Sequence, residues 1–180
     1  MKLHLVRALL LACILPSMAI FAQTPAAAAA PSLPAVLTAL EATKILPPSV
    51  FFRGLSAPIQ GRNSAGVRFA NKNLMLVTLV DTSGYSTQVQ EKYQAYLITE
   101  SPLDIDGHRL LPGAYGCGFI ADNIFIVQDL GAHDLFTAHS VRDTALRRPT
   151  PLQIVPAPGN AGSYQLYGGR SYVTFREAGK

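Results

Sequence analysis

Leu103-Asp104-Ile105-Asp106-Gly107-His108-Arg109-Leu110 is the stretch on which the fold turns. Asp106-Gly107 stands between two short runs of alternating apolar and polar residues. Asp-Gly accepts the pair of positive φ angles in a type I′ turn, so this stretch predicts a tight two-residue hairpin. The same punctuation recurs on either side. Asp122-Asn123 separates residues 113–121 from 124–130, and Gly168-Gly169 joins 164–167 to 170–175. Asn71-Lys72-Asn73 precedes Leu74, and Pro112-Gly113 fits a type II turn. Between the turns lie apolar or β-branched runs of strand length, at 74–80, 93–99, 124–130, 135–141, 152–155, 163–167 and 170–176. Short strands at this spacing, joined by hairpins, predict an all-β domain with an antiparallel meander. The near-continuous apolar runs 74–80 and 124–130 suit strands covered on both sides. The expected fold is an antiparallel β-sandwich or a small closed barrel of about 8–10 short strands, with one short N-terminal helix. The sandwich is the leading form.

The N-terminus reads differently. Lys2 and Arg7 form a short basic region, an apolar stretch follows to Phe21, and small residues end it at Ala22. That order predicts a secretory signal peptide over 1–22. Leu10-Leu11-Ala12-Cys13 is a rival, as a lipobox that would put a lipid on Cys13. Its apolar core follows the cysteine instead of preceding it, so ordinary cleavage is expected. Residues 23–48 read as an Ala/Pro-rich tether and a short helix, with Val36, Leu37, Leu40 and Ile45 on one face. Residues 49–177 then form a single β domain. The net charge of +4 falls to +2 once Lys2 and Arg7 leave. A near-neutral chain with only Arg142, Arg147 and Arg148 clustered, at the end of a short helical turn, is no nucleic-acid binder. Cys117 is left alone in an oxidising compartment, and its apolar neighbours predict a buried thiol.

Candidate chemistry is sparse. Tyr115, Cys117 and Phe119 share one strand face, and Gly116 and Gly118 share the other. A two-residue turn at Asp122-Asn123 would set Phe119 opposite Ile126 and Gly118 opposite Val127. The paired glycines make room for large side chains such as Phe125 and Val127, or for a ligand; packing is the first reading. Gly116-Cys117-Gly118-Phe119-Ile120-Ala121 matches the dinucleotide fingerprint in letters, but a strand follows where a helix must start. Asp104-Ile105-Asp106-Gly107 is half a calcium loop without the remaining ligands. Asp129, His133, Asp134 and His139 form the densest His/Asp group, the candidate catalytic set, although His139 falls on the face of Leu135, Thr137 and Val141, where a core histidine is the plainer reading. The segments 53–66 and 81–92 read as loops, and Arg53, Arg62 and Tyr85 in them join Gly116 and Gly118 as candidate ligand-binding residues. No metal or cofactor is expected. Strands this short and continuous do not suit an outer-membrane barrel.

Residues 103–116, of the form L-x-I-x-G-x-x-L-x-P-G-x-Y, resemble a segment of uncharacterised secreted β-rich proteins of Gram-negative, acidobacterial-type bacteria. Phe52-Arg53-Gly54, residues 61–66 and residues 93–100 look like the same group. The resemblance implies no activity and carries over no functional residue. The function expected is non-enzymatic binding of a small or cell-envelope ligand by an exported domain, periplasmic or extracellular, with no membrane span after signal cleavage. Two alternatives stand beside it. One is a periplasmic hydrolase using the Asp/His group, and the other is a structural or assembly protein of the envelope.

Overall fold

The computed structural model describes residues 34–179. The expected signal segment, the Cys13 lipobox reading and the expected tether up to residue 33 lie outside the described residues. Strands make up 53% of the described residues and helices 9%, so this part of the protein is mostly β. In chain order the elements begin with β1 (Ala35–Leu37), α1 (Ala39–Ile45), β2 (Ser49–Phe52), β3 (Leu55–Arg68) and β4 (Leu74–Val80). They continue with α2 (Thr87–Lys92), β5 (Ala95–Thr99), β6 (Leu103–Ile105), β7 (His108–Leu110) and β8 (Gly113–Ile120). The remainder are β9 (Ile124–Gln128), β10 (Asp134–His139), β11 (Val141–Arg142), β12 (Leu152–Pro156), β13 (Ser163–Gly168) and β14 (Ser171–Glu177).

These strands form two sheets, in which every pairing is antiparallel. The first runs β1-β3-β4-β5-β8-β9-β10, with β2 also on β3. The second runs β12-β13-β14-β6-β7, with β11 also on β14. Neither path returns to its start, so the closed barrel given as one form of the expected fold is not formed. The reason is visible at residues 103–110. The hairpin β6–β7 does not continue the meander; it crosses to the other sheet and pairs with β14, Leu103 opposite Glu177 and Ile105 opposite Phe175. β5 therefore pairs directly with β8, Ala95 opposite Cys117.

The opening hairpin itself forms as expected. Ile105 opposes His108, and Asp106 (φ 49°) and Gly107 (φ 85°) both take positive φ, as a type I′ turn requires. Two other turns shift by one residue. Ile120 opposes Ile124, so Gly118 faces Ile126 and Phe119 faces Phe125, not the partners expected. Asp122 (φ 61°) and Asn123 (φ 57°) are left-handed, but Ala121 joins the loop and makes it three residues. Likewise Gly168 opposes Ser171, so the loop is Gly169-Arg170 with positive φ at Gly169 alone, a type II′ pattern.

Fourteen strands and two helices among the described residues exceed the expected 8–10 strands and one helix. The largest difference is β3. Gly61-Arg62-Asn63-Ser64-Ala65-Gly66 read as loop, yet it lies inside a 14-residue strand. The register shifts between Ile59 and Ser64, a bulge that tolerates the polar residues. Beyond it, the Ser64 hydroxyl donates to Thr78 Oγ1 at 2.8 Å in the interior. The expected helical face at 36–45 also fails. Thr38 and Glu41 form a capping box, which starts the helix at Ala39 and releases Ala35–Leu37 to pair with β3. Leu40 and Ile45 are exposed, and Ala42 and Leu46 are buried instead. Residues 143–150, where a helical turn was expected around the arginines, hold neither helix nor strand.

Both sheets contribute to one buried cluster. Val67, Val77, Leu97, Cys117 and Val127 come from the first, and Leu103, Ile105, Leu166, Val173 and Phe175 from the second. The other face of the first sheet is covered too. Phe52, Tyr85, Val89, Tyr93 and Tyr96 pack there under α2 and the β2–β3 hairpin, and Leu37, Ala42, Leu46 and Leu76 under α1. Two-sided cover explains the continuous apolar texture of β4. At one edge the sheets touch through His108 and Phe136, whose rings stack at 4.8 Å and 5°. Among the described residues no helix is long and apolar enough to cross a membrane.

Candidate functional site

The cluster shared by the two sheets is not filled at one end. A cleft of about 480 Å³ opens there. Its floor is apolar, built from Val77 and Leu79 on β4, Phe125 on β9, and Leu152 and Leu166 from the second sheet. Gln60, Thr82, Arg142, Arg170 and Ser171 stand around it. The β13–β14 turn forms one wall. A Cβ on Gly168 would lie 2.4 Å from the Phe119 ring, so only glycine lets that turn approach so closely.

The electrostatics of the cleft are one-sided. Arg142 and Arg170 line it, and among the described residues no aspartate, glutamate or histidine does. Arg170 Nη1 donates to the Leu146 carbonyl, which fixes its guanidinium. The Arg142 side chain is exposed at the rim. Cys117 reaches the floor, but burial pushes its thiol up to about 12. A thiol that stays protonated at neutral pH is no nucleophile. An apolar floor with a cationic rim binds a molecule that is apolar at one end and acidic at the other.

Comparison with known protein families, with curated proteins and with solved structures finds no match.

Of the candidate site residues singled out in the sequence, Gly118 lines the cleft and the others fall elsewhere. Asp129 and His133 pair, Oδ2 to Nδ1 at 2.9 Å. The Asp129 carboxyl is held below its ordinary range, first by the His133 backbone N–H and then by its ring. Asp134 binds Lys92 Nζ at 2.5 Å and accepts from Gln128 Nε2 at 2.7 Å; the Lys92 ammonium lowers its carboxyl pKa. His139 stands at the other end of β10, about 17 Å away at strand rise. It is exposed, not in the core as its apolar neighbours suggested, because Phe136 and Ala138 take the inward positions. The four groups therefore do not converge. Among the described residues no three of His, Cys, Asp or Glu are grouped to hold a metal.

Tyr85 is structural. Its hydroxyl donates to the carbonyls of Phe52 (3.0 Å) and Leu55 (3.2 Å), clamping the β2–β3 hairpin. Arg62 is exposed on β3. The glycines serve packing, though against partners other than Phe125 and Val127. A Cβ on Gly116 would meet the Phe52 ring at 2.5 Å, and one on Gly118 the Lys92 carbonyl oxygen at 2.3 Å. Arg53 and His133 do meet, at a smaller pocket beside α2 that also takes Lys92 and Gln128. The sequence reading missed those two. Gln128 had one signal, as the polar end of a buried apolar strand. The cleft had one, Gly118, and the rest of its walls come from strands far apart in the chain.

Proposed function

We propose that this chain is an exported, non-enzymatic binding domain whose two sheets pack as a sandwich. Its inter-sheet cleft takes a small amphipathic ligand with an acidic head. The observation that carries this reading is the pairing of an apolar floor with Arg142 and Arg170 in a cleft of ligand size that no carboxylate lines. The core common to both sheets supports the sandwich, and residues 1–22 support export. Membership of a group of secreted β-rich bacterial proteins belongs to the same reading. A hydrolase built on Asp129, His133, Asp134 and His139 lacks support, because those groups lie at two ends of a strand.

Calorimetric titration of the purified protein with dodecanoate, below its micellar concentration, tests the reading, with dodecylamine as the cationic counterpart. Saturable binding of dodecanoate alone is expected. Leu79→Trp fills the cleft and abolishes binding. Arg142→Gln removes a charge-assisted contact and weakens it about tenfold or more. Equal binding of both amphiphiles, unchanged in Leu79→Trp, overturns the proposal.

A further inference from the structure

The outer face of the first sheet carries a row of cross-strand neighbours that differs in chemistry from the core behind it. Thr78 opposes Tyr96, Tyr96 opposes Gly116, Gly116 opposes Gln128, and Gln128 opposes Asp134. Partners across strands point to the same face, so the row ends in a polar corner. There, α2, the β2–β3 turn and the 129–133 turn enclose a pocket of about 280 Å³. That volume equals the liquid share of roughly nine waters.

Three observations say what this pocket holds. First, Arg53, Lys92 and His133 line it, and among the described residues no carboxylate does. Asp134 and Asp129 stand behind, holding Lys92 and His133 in place. Second, Arg53 occupies the turn at φ 46°, a left-handed conformation that suits Gly or Asn and costs an arginine about 1 kcal/mol or more. Its backbone N–H donates to the Leu130 carbonyl at 2.8 Å, which ties the two turns together. Among the described residues its guanidinium has no hydrogen-bond partner. Third, Gln128 is 3% exposed and its amide is half satisfied. Nε2 donates to Asp134 Oδ1 at 2.7 Å and to the Ala132 carbonyl at 3.4 Å. Oε1 is buried and no protein donor reaches it among the described residues, a state that native interiors rarely keep.

We propose that this pocket is a second binding site, for a small hydroxylated carboxylate of the sugar-acid class. The carboxylate sits between the Arg53 guanidinium and the Lys92 ammonium. Gln128 Oε1 has no surface open to the pocket; its Nε2 holds Asp134, and through Asp134 the Lys92 ammonium, in place behind the ligand. His133, with Nδ1 engaged by Asp129, turns its Nε2 to a ligand hydroxyl. The cleft and this pocket use opposite faces of β9, Phe125 for one and Gln128 for the other, so the two sites are occupied independently.

Titration of the purified protein with galacturonate, and with galactose as its uncharged analogue, tests the assignment. Galacturonate binds and galactose does not. Arg53→Asn keeps a residue that tolerates positive φ, so the fold is retained while affinity falls about tenfold or more. Gln128→Leu, which takes away the hydrogen bond that steadies Asp134 and so loosens Lys92, weakens binding at least threefold, or about 0.65 kcal/mol. Leu79→Trp, which closes the cleft to dodecanoate, leaves galacturonate binding unchanged, so either site can fail without the other. The proposal is overturned by no saturation up to about 10 mM, by equal binding of galactose, or by an Arg53→Asn protein that binds within twofold of the parent.

Discussion

Gly118→Ala puts a single methyl group where the structure has no space. The new Cβ would lie 2.3 Å from the Lys92 carbonyl oxygen and 3.1 Å from Gln94 Cδ. A relaxed C–H···O contact is about 3.3–3.6 Å, so one side must retreat by roughly 1 Å. Neither side is loose. Tyr93 N–H donates to the Val89 carbonyl at 2.8 Å and Gln94 N–H to the Cys117 carbonyl at 3.0 Å. The Gln94 side chain also grips the Phe119 backbone at both ends, donating at 2.9 Å and accepting at 3.0 Å. Overpacking of this kind costs about 1–3 kcal/mol, and one hydrogen bond broken by the retreat adds about 1. A total near 3 kcal/mol lowers Tm by about 6–12 °C in a domain of this size. Urea denaturation and a thermal scan of Gly118→Ala beside Gly84→Ala make the measurement. Gly84 has no atom within 4 Å of its Cβ position, so its alanine variant is neutral or stabilised by up to about 1 kcal/mol. A Gly118→Ala protein within about 0.5 kcal/mol of the parent refutes the packing account. Unchanged stability with lost dodecanoate binding would assign the glycine to ligand contact instead.

Other perturbations follow from single groups. Cys117, raised by burial to about 12, resists iodoacetamide in the native state at pH 8 and reacts only on unfolding; rapid native alkylation would contradict its burial. Because its folded pKa is raised, the stabilisation is complete below about pH 9 and declines by about 1 kcal/mol per pH unit between pH 9 and about 12; Cys117→Ala flattens that slope in denaturant titrations. Ser64→Ala removes the buried hydroxyl pair with Thr78 and costs about 1–2 kcal/mol, read as a lower urea midpoint at unchanged m-value. Asp104, whose carboxyl the Arg176 side chain holds below its usual 3.8, stabilises the protein above that pH and ceases to as pH falls through the lowered value. Asp104→Asn therefore shows a smaller loss of stability between pH 5 and 2.5 than the parent.

Local chemistry was legible wherever a few adjacent residues dictate a conformation. Asp106-Gly107 makes a type I′ turn in any antiparallel context. The run 74–80 is a strand from end to end. Cys117 lies buried among apolar neighbours. The same reasoning failed where a neighbour distant in sequence overrode it. Residues 61–66 are loop-like in composition, yet β4 pairs with Ser64, Ala65 and Gly66, β1 pairs with Gly66 from the other side, and the Thr43 hydroxyl donates to the Gly61 carbonyl at 2.6 Å. Leu40 and Ile45 have the spacing of a buried helical face, but the Thr38–Glu41 cap rotates α1 so that Ala42 faces inward. The Asp/His group shows the limit for function. Its members are near in sequence, but a strand rises about 3.4 Å per residue, so five positions along β10 part His139 from Asp134.

The Asp106-Gly107 turn, the strand run 74–80, the buried thiol and the all-β character are therefore properties of the chain alone, because each rests on backbone sterics or on the burial of contiguous apolar residues. Which strands become neighbours is not such a property. The hairpin at 103–110 is complete in itself, and its two unpaired edges could join either sheet. It joins β14, some 70 residues later, because Leu103, Ile105 and Leu110 are buried in the cluster that the two sheets share. That crossing leaves β5 to pair with β8, and the pairing of β11 with β14 sets Arg142 opposite Ser171, next to Arg170, at the rim of the cleft. Gln128 meets Asp134 through the local β9–β10 hairpin, but Arg53 and Lys92 reach the outer pocket from far earlier in the chain. The sites arise from association between distant strands, and hydrophobic burial, which has no direction of its own, selects that association only once the whole chain is assembled.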